Sequence, residues 1–138
     1  MTSSLDRELA ASALERANDA IVTLDRSAKV TSWNSAAERL FGFSEEDAIE
    51  QGLVLIIPAE HRARHIAGFH AAIDSGQLNH GGVVARVEAM TASGQRLVLG
   101  MSLGLLPGAD GGPSGVIAVL RPLGDAAVEF VPAIKPPM

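Results

Sequence analysis

Three of the chain's four histidines, His61, His65 and His70, fall on one segment of helical pattern, and imidazole is the side chain best suited to metal ligation or proton exchange near neutral pH. His61 and His65 stand one turn apart on one face, a spacing that can bind a metal ion. No cysteine exists to complete such a site, and the adjacent Glu60 is expected to point elsewhere, so His61 reads as structural. His65 has a different setting. It precedes Phe69 by one turn and borders the apolar stripe of Ile66, Phe69 and Ile73. A neutral imidazole facing an apolar pocket can ligate haem iron.

Other chemistries are excluded by what the chain lacks. With no cysteine there can be no disulfide, Cys-ligated zinc, iron–sulfur cluster, thiol nucleophile or cysteine–flavin photochemistry. Neither a G-x-S-x-G elbow nor a phosphate-cradling G-x-x-x-x-G-K is present, and the expectation is that the chain is not an enzyme. A net charge of −5 offers nucleic acid no basic stripe, and Trp33 with four Phe makes a poor stacking platform, so no nucleic acid is expected as partner. No run approaches the ~20 apolar residues of a membrane span, and Asp6, Arg7 and Glu8 interrupt any secretory leader. A soluble, cytoplasmic domain is the expectation.

The elements that must carry these residues follow from hydrophobic period and punctuation. Leu5, Leu9, Ala13 and Leu14 recur at helical spacing, which predicts an amphipathic N-terminal helix over residues 1–17. Two β-rich runs, residues 20–24 and 30–33, read as a hairpin. Asn34 or Ser35 can cap a short helix that ends at Gly42, and Ser44 followed by three acids starts another. Pro58 sets a break, and residues 59–75 read as a longer helix ended by Gly76. From residue 83 the period changes to two, with strands expected at 83–90, 96–106 and 116–120 and loops at 92–95 and 107–115. Two strands, a helical block and three strands predict an α+β fold: a five-stranded antiparallel sheet with helices on one face. Residues 124–138, with three prolines, read as a tail or linker.

Several stretches attached to that order resemble the PAS family. Residues 33–44, Trp33-Asn34-Ser35-Ala36-Ala37-Glu38-Arg39-Leu40-Phe41-Gly42-Phe43-Ser44, are similar to its W-N-x-A-A-E-x-x-F-G-Y-S signature. Asn18-Asp19-Ala20-Ile21-Val22, Ile56-Ile57-Pro58, Gly94 and Gly115-Val116-Ile117-Ala118 continue the match in order. Two departures stand out. Ser93 replaces the usual Asp before the hairpin glycine, and Pro122-Leu123-Gly124-Asp125 replaces the D-I-T ending that leads to a signalling helix.

The resemblance implies a sensor domain over residues 18–123 that holds a small ligand or cofactor in an apolar pocket and relays a signal through protein contacts, as a homodimer or with a signalling partner. The partial resemblance to oxygen-sensing haem PAS domains is more specific. Their proximal histidine lies seven residues after the proline of such a stretch, and Pro58 plus seven is His65. It further implies that Phe69 flanks the pocket, that Leu99, Met101 and Leu103 roof its distal side, and that Arg86 stands where a ligand-sensing arginine would. Haem b is thus the leading cofactor candidate, ahead of noncovalent flavin, with haem iron on His65 the only metal assigned. The alternative is a cofactor-free PAS dimerisation domain.

Overall fold

A computed structural model describes residues 4–78 and 84–123. Helix α1 (Ser4–Arg16) leads into strands β1 (Ala20–Asp25) and β2 (Val30–Trp33). Short helices α2 (Ser35–Phe41) and α3 (Glu45–Ala48) and two 3-10 turns, Leu53–Ile56 and Ala59–His61, precede the long helix α4 (Arg62–Ser75). Strands β3 (Ala85–Met90), β4 (Arg96–Pro107) and β5 (Pro113–Pro122) complete one antiparallel sheet in the order β2-β1-β5-β4-β3. The expected α+β architecture is the observed one.

The sheet closes because its last strand inserts beside its first. β5 pairs with β1 from Ala20↔Leu120 to Asp25↔Gly115 and with β4 on its other edge. A Cβ at Gly115 would lie 2.0 Å from the Leu24 carbonyl oxygen, so only glycine permits this approach. Alternation then sends Val22 and Leu24 of β1, Leu99 of β4 and Val116 and Leu120 of β5 into one cluster with Trp33, Phe41, Phe69 and Ile73. Phe41 and Leu99 are fully enclosed, and each such burial stabilises the fold by about 2–3 kcal/mol.

The signature stretch forms the tightest part of the frame. Asn34 caps α2, its side chain accepting from the Ala37 N–H, and Gly42 ends that helix at φ 80°. Ser44 caps α3 by accepting from the Asp47 N–H. The Trp33 indole donates to the Phe43 carbonyl at 3.0 Å while its ring lies 5.4 Å from that of Phe41. The β3–β4 loop docks on the same helix end, where the Ala92 N–H donates to the Phe41 carbonyl at 2.8 Å.

Several boundaries differ from expectation. The turn expected over residues 107–115 narrows to 108–112, because ladder pairing continues to Pro107↔Pro113 and the Gly108 N–H closes on the Gly112 carbonyl at 2.7 Å. The first three residues of the expected 59–75 helix form a 3-10 turn, with α-helix only from Arg62. The strand expected from residue 83 starts at Ala85, residue 83 itself and the 124–138 tail lying outside the described residues. Helix α1 forms as expected, yet no residue of it is buried, and Leu5 and Leu9 are 72% and 68% exposed.

Candidate functional site

The candidate site lies where α4 packs on the sheet over β5, beside β4. On α4, Phe69 and Ile73 are buried in the core while Ile66 and His65, toward the start of the helix, are half-buried. On β4, Leu97, Leu99, Met101, Leu103 and Leu105 share one face by alternation. Only Leu99 is fully enclosed, and the other four are partly exposed against the core cluster. Phe69, Leu99, Met101 and Leu103 therefore belong to one apolar body, of which Met101 and Leu103 are only partly covered.

His65 sits at the edge of that body. Burial lowers its pKa by disfavouring the imidazolium, with the charges of Arg64 and His61 adding to the effect. The ring is thus held toward its neutral form, the form that ligates metals. The His65 and His61 rings lie edge-on to one another with centroids 6.5 Å apart. His70 is exposed and meets the Phe69 ring edge-on at 5.8 Å, on the solvent side of the helix.

Arg86 does not join this group. It pairs with Gly100, whereas its neighbours Ala85 and Val87 pair with Met101 and Leu99. Paired residues project to the same face, so Arg86 stands exposed on the face opposite the leucine and methionine roof. The alternation Ala85-Arg86-Val87-Glu88-Ala89 carried that information in the sequence, and alignment by resemblance overrode it.

Glu60 and His61 also depart from expectation. Glu60 does not point elsewhere: its donor atom lies within 4.8 Å of that of His61, and it pairs with Arg96 of β4, which holds its carboxyl down at about 2 through that hydrogen bond. Nε2 of His61 lies 3.5 Å from Oε2 of Glu88 on β3, and the Arg96 guanidinium reaches the same carboxylate at 3.4 Å. The turn before α4 is thereby tied to the β3–β4 hairpin by four charged or titratable side chains.

Sequence reasoning also saw only part of Asn34. Beyond capping α2, its Oδ1 accepts from the Ile21 N–H at 3.0 Å, and its Nδ2 donates to the Leu14 carbonyl at 2.8 Å and the Asp19 carbonyl at 3.0 Å. One amide thus joins α1, β1 and α2.

Comparison with known proteins agrees with this fold. The family model described as PAS fold matches residues 8–123. The chain belongs to the PAS fold family. Over 82 residues this PAS domain is 33% identical to an uncharacterized protein of Azorhizobium caulinodans, a match covering 59% of the chain and 11% of the relative. Over 47 residues, 34% of the chain, it is 40% identical to the sensor protein FixL of Bradyrhizobium diazoefficiens, of which 9% is covered. The chain therefore spans about a tenth of the curated relatives it matches. A solved PAS domain from Colwellia psychrerythraea superposes with a TM-score of 0.72 at 20% identity, covering 84% of this chain and 95% of that one, which bears on fold alone. Among the described residues no helix is long and apolar enough to cross a membrane. By family, the domain is a sensory module of the signal-transduction class.

Proposed function

We propose that this PAS domain is a cytoplasmic sensor that performs no catalysis, holds a small ligand between α4 and β4, and passes its occupancy to a partner protein or second copy. Haem b is the ligand that the residues fit best. One observation carries the reading: His65, an imidazole held toward its neutral form, borders the apolar body of Phe69, Leu99, Met101 and Leu103. An iron porphyrin would supply the chemistry of diatomic-gas binding or of electron exchange. The chain's own part would be to offer one imidazole nitrogen from His65 on α4 and, with Leu99, Met101 and Leu103, apolar surface that excludes water. Arg86, on the other face, takes no part.

Titrating the protein with haem tests this. An intense Soret band is expected, lost or shifted in His65→Ala and unchanged in His61→Ala and His70→Ala. Equal, weak uptake with the same spectrum in wild type and His65→Ala would reject haem and leave another apolar occupant, noncovalent flavin included.

The exposed leucines of α1 favour a second reading, cofactor-free dimerisation. Leu5 and Leu9 lie uncovered on a helix that touches the domain chiefly through α2, where the Ser35 hydroxyl donates to the Glu15 carboxylate. Symmetric dimers are the commonest way to cover such a stripe. Removing residues 1–13 should convert a dimer to a monomer in solution, and an unchanged mass would exclude α1 as the interface.

A further inference from the structure

We propose that Glu60, His61 and Glu88 form a binding site for one divalent transition-metal cation of the zinc class, separate from the pocket at His65. Each offers a donor atom, and the three atoms lie within 4.8 Å of one another. Zinc bonds to nitrogen and carboxylate oxygen at about 2.0–2.2 Å, so two ligands in a tetrahedron stand roughly 3.4 Å apart. The 3.5 Å between His61 Nε2 and Glu88 Oε2 already has that length. Glu60 has to approach by up to about 1.4 Å, within the reach of a side chain that is half exposed.

The ligands are carried on elements that hold them. Glu60 and His61 occupy the 3-10 turn after Pro58, closed by the His61 N–H on the Pro58 carbonyl at 2.9 Å and braced by the Arg62 Nε donating to the Ile57 carbonyl at 3.0 Å. Glu88 is in register in the β3–β4 ladder, opposite Val98. Two carboxylates of one sign face each other across this junction, and the single charge of Arg96 leaves them half neutralised. A divalent cation neutralises both and adds directional bonds. The imidazole donor favours a transition metal over magnesium or calcium, which prefer oxygen throughout.

Two arginines compete with the ion. Arg96 must leave the carboxylates, and Arg64, whose Nη2 lies 3.1 Å from His61 Nδ1, must turn away so that Nδ1 can carry the proton while Nε2 binds. Removing either cation should therefore tighten binding. The ion would fasten the start of α4 to β3, one helical turn before His65.

Calorimetry with zinc and visible spectroscopy with cobalt as its probe, on haem-free protein, test the proposal. One equivalent of zinc should bind to wild type, about tenfold or more weaker in His61→Ala and in Glu88→Gln, about tenfold tighter in Arg96→Ala, and unchanged in His65→Ala. Zinc should raise the melting temperature of the wild type by mass action, and millimolar magnesium should not displace it. Absence of stoichiometric uptake by the wild type would overturn the proposal, including the case where only Arg96→Ala binds, since Arg96 would then keep the natural site closed. Uptake undiminished in folded His61→Ala would overturn it as well, by assigning the ion to other histidines.

Discussion

Asn34 and His65 are both polar side chains set against the same apolar core, and the molecule treats them in opposite ways. Asn34 is 5% exposed and uses both lone-pair directions of its oxygen and both hydrogens of its nitrogen within the chain. His65 is half-buried, is discouraged from protonation, and among the described residues no hydrogen bond holds its ring. A polar group fully satisfied inside the protein has nothing left for a ligand and belongs to the frame. One left unpaired beside partly covered leucines keeps its lone pair available. The frame is thus the β1–β2–α2 end, and the site is the α4–β4 end.

The comparison can be broken most severely through the side chain that both ends share. Leu99→Asp drives a carboxylate into a fully enclosed position without a partner, a cost well above about 4 kcal/mol, and should abolish the cooperative transition in thermal denaturation. Retention of a sharp melt near the wild-type temperature would refute the enclosure of Leu99 in the core shared by the sheet and α4. Next is Asn34→Ala, which removes a cap and strands the Ile21 N–H and the Leu14 and Asp19 carbonyls, and should lower stability by about 3 kcal/mol in urea titration. Asn34→Asp keeps the acceptor but sets an anionic oxygen against the Leu14 and Asp19 carbonyls, so it should cost at least as much as Asn34→Ala.

Gly42 closes the helix that Asn34 opens, and its φ of 80° makes Gly42→Ala cost about 1–2 kcal/mol by the same assay. The smallest effect should come from His65 itself. Its folded pKa lies below its ordinary value near 6.5, so the unfolded chain takes up a proton first as the pH falls. Stability is therefore complete above that value and declines below it, toward the lowered folded pKa. Urea midpoints at about pH 7.5 and 5.5 should differ more for wild type than for His65→Gln. A variant with the same pH slope would mean that His65 is as free to ionise in the fold as out of it.

Much of the frame was legible because its causes are local. Trp33-Asn34-Ser35-Ala36-Ala37 announces a cap, Gly42 a helix end and Ser44 another start, each decided within about four residues. The alternation of residues 97–105 named the β4 face, and the helical spacing of Phe69 and Ile73 named the face of α4 that meets it. Legibility failed where distant segments converge. Asn34 reaches carbonyls 15 and 20 residues upstream, and nothing in its neighbours reveals that. Glu60 and Glu88 share Arg96 only because the α4 turn lands on the hairpin.

By itself, then, the sequence determined the order of elements, their caps and the apolar faces, because period, propensity and turn chemistry act over a few residues of contiguous chain. Tertiary structure alone decided which strand lies beside which, how far the β4–β5 ladder runs before its turn, and that Arg86 stands on the outer face while Glu60, His61, Glu88 and Arg96 meet on the surface. Those outcomes depend on the insertion of β5 against β1, which Gly115 permits by leaving space at the Leu24 carbonyl. A contact between residues 90 positions apart in the chain carries no local pattern, since it forms only when the remaining surfaces have been paired.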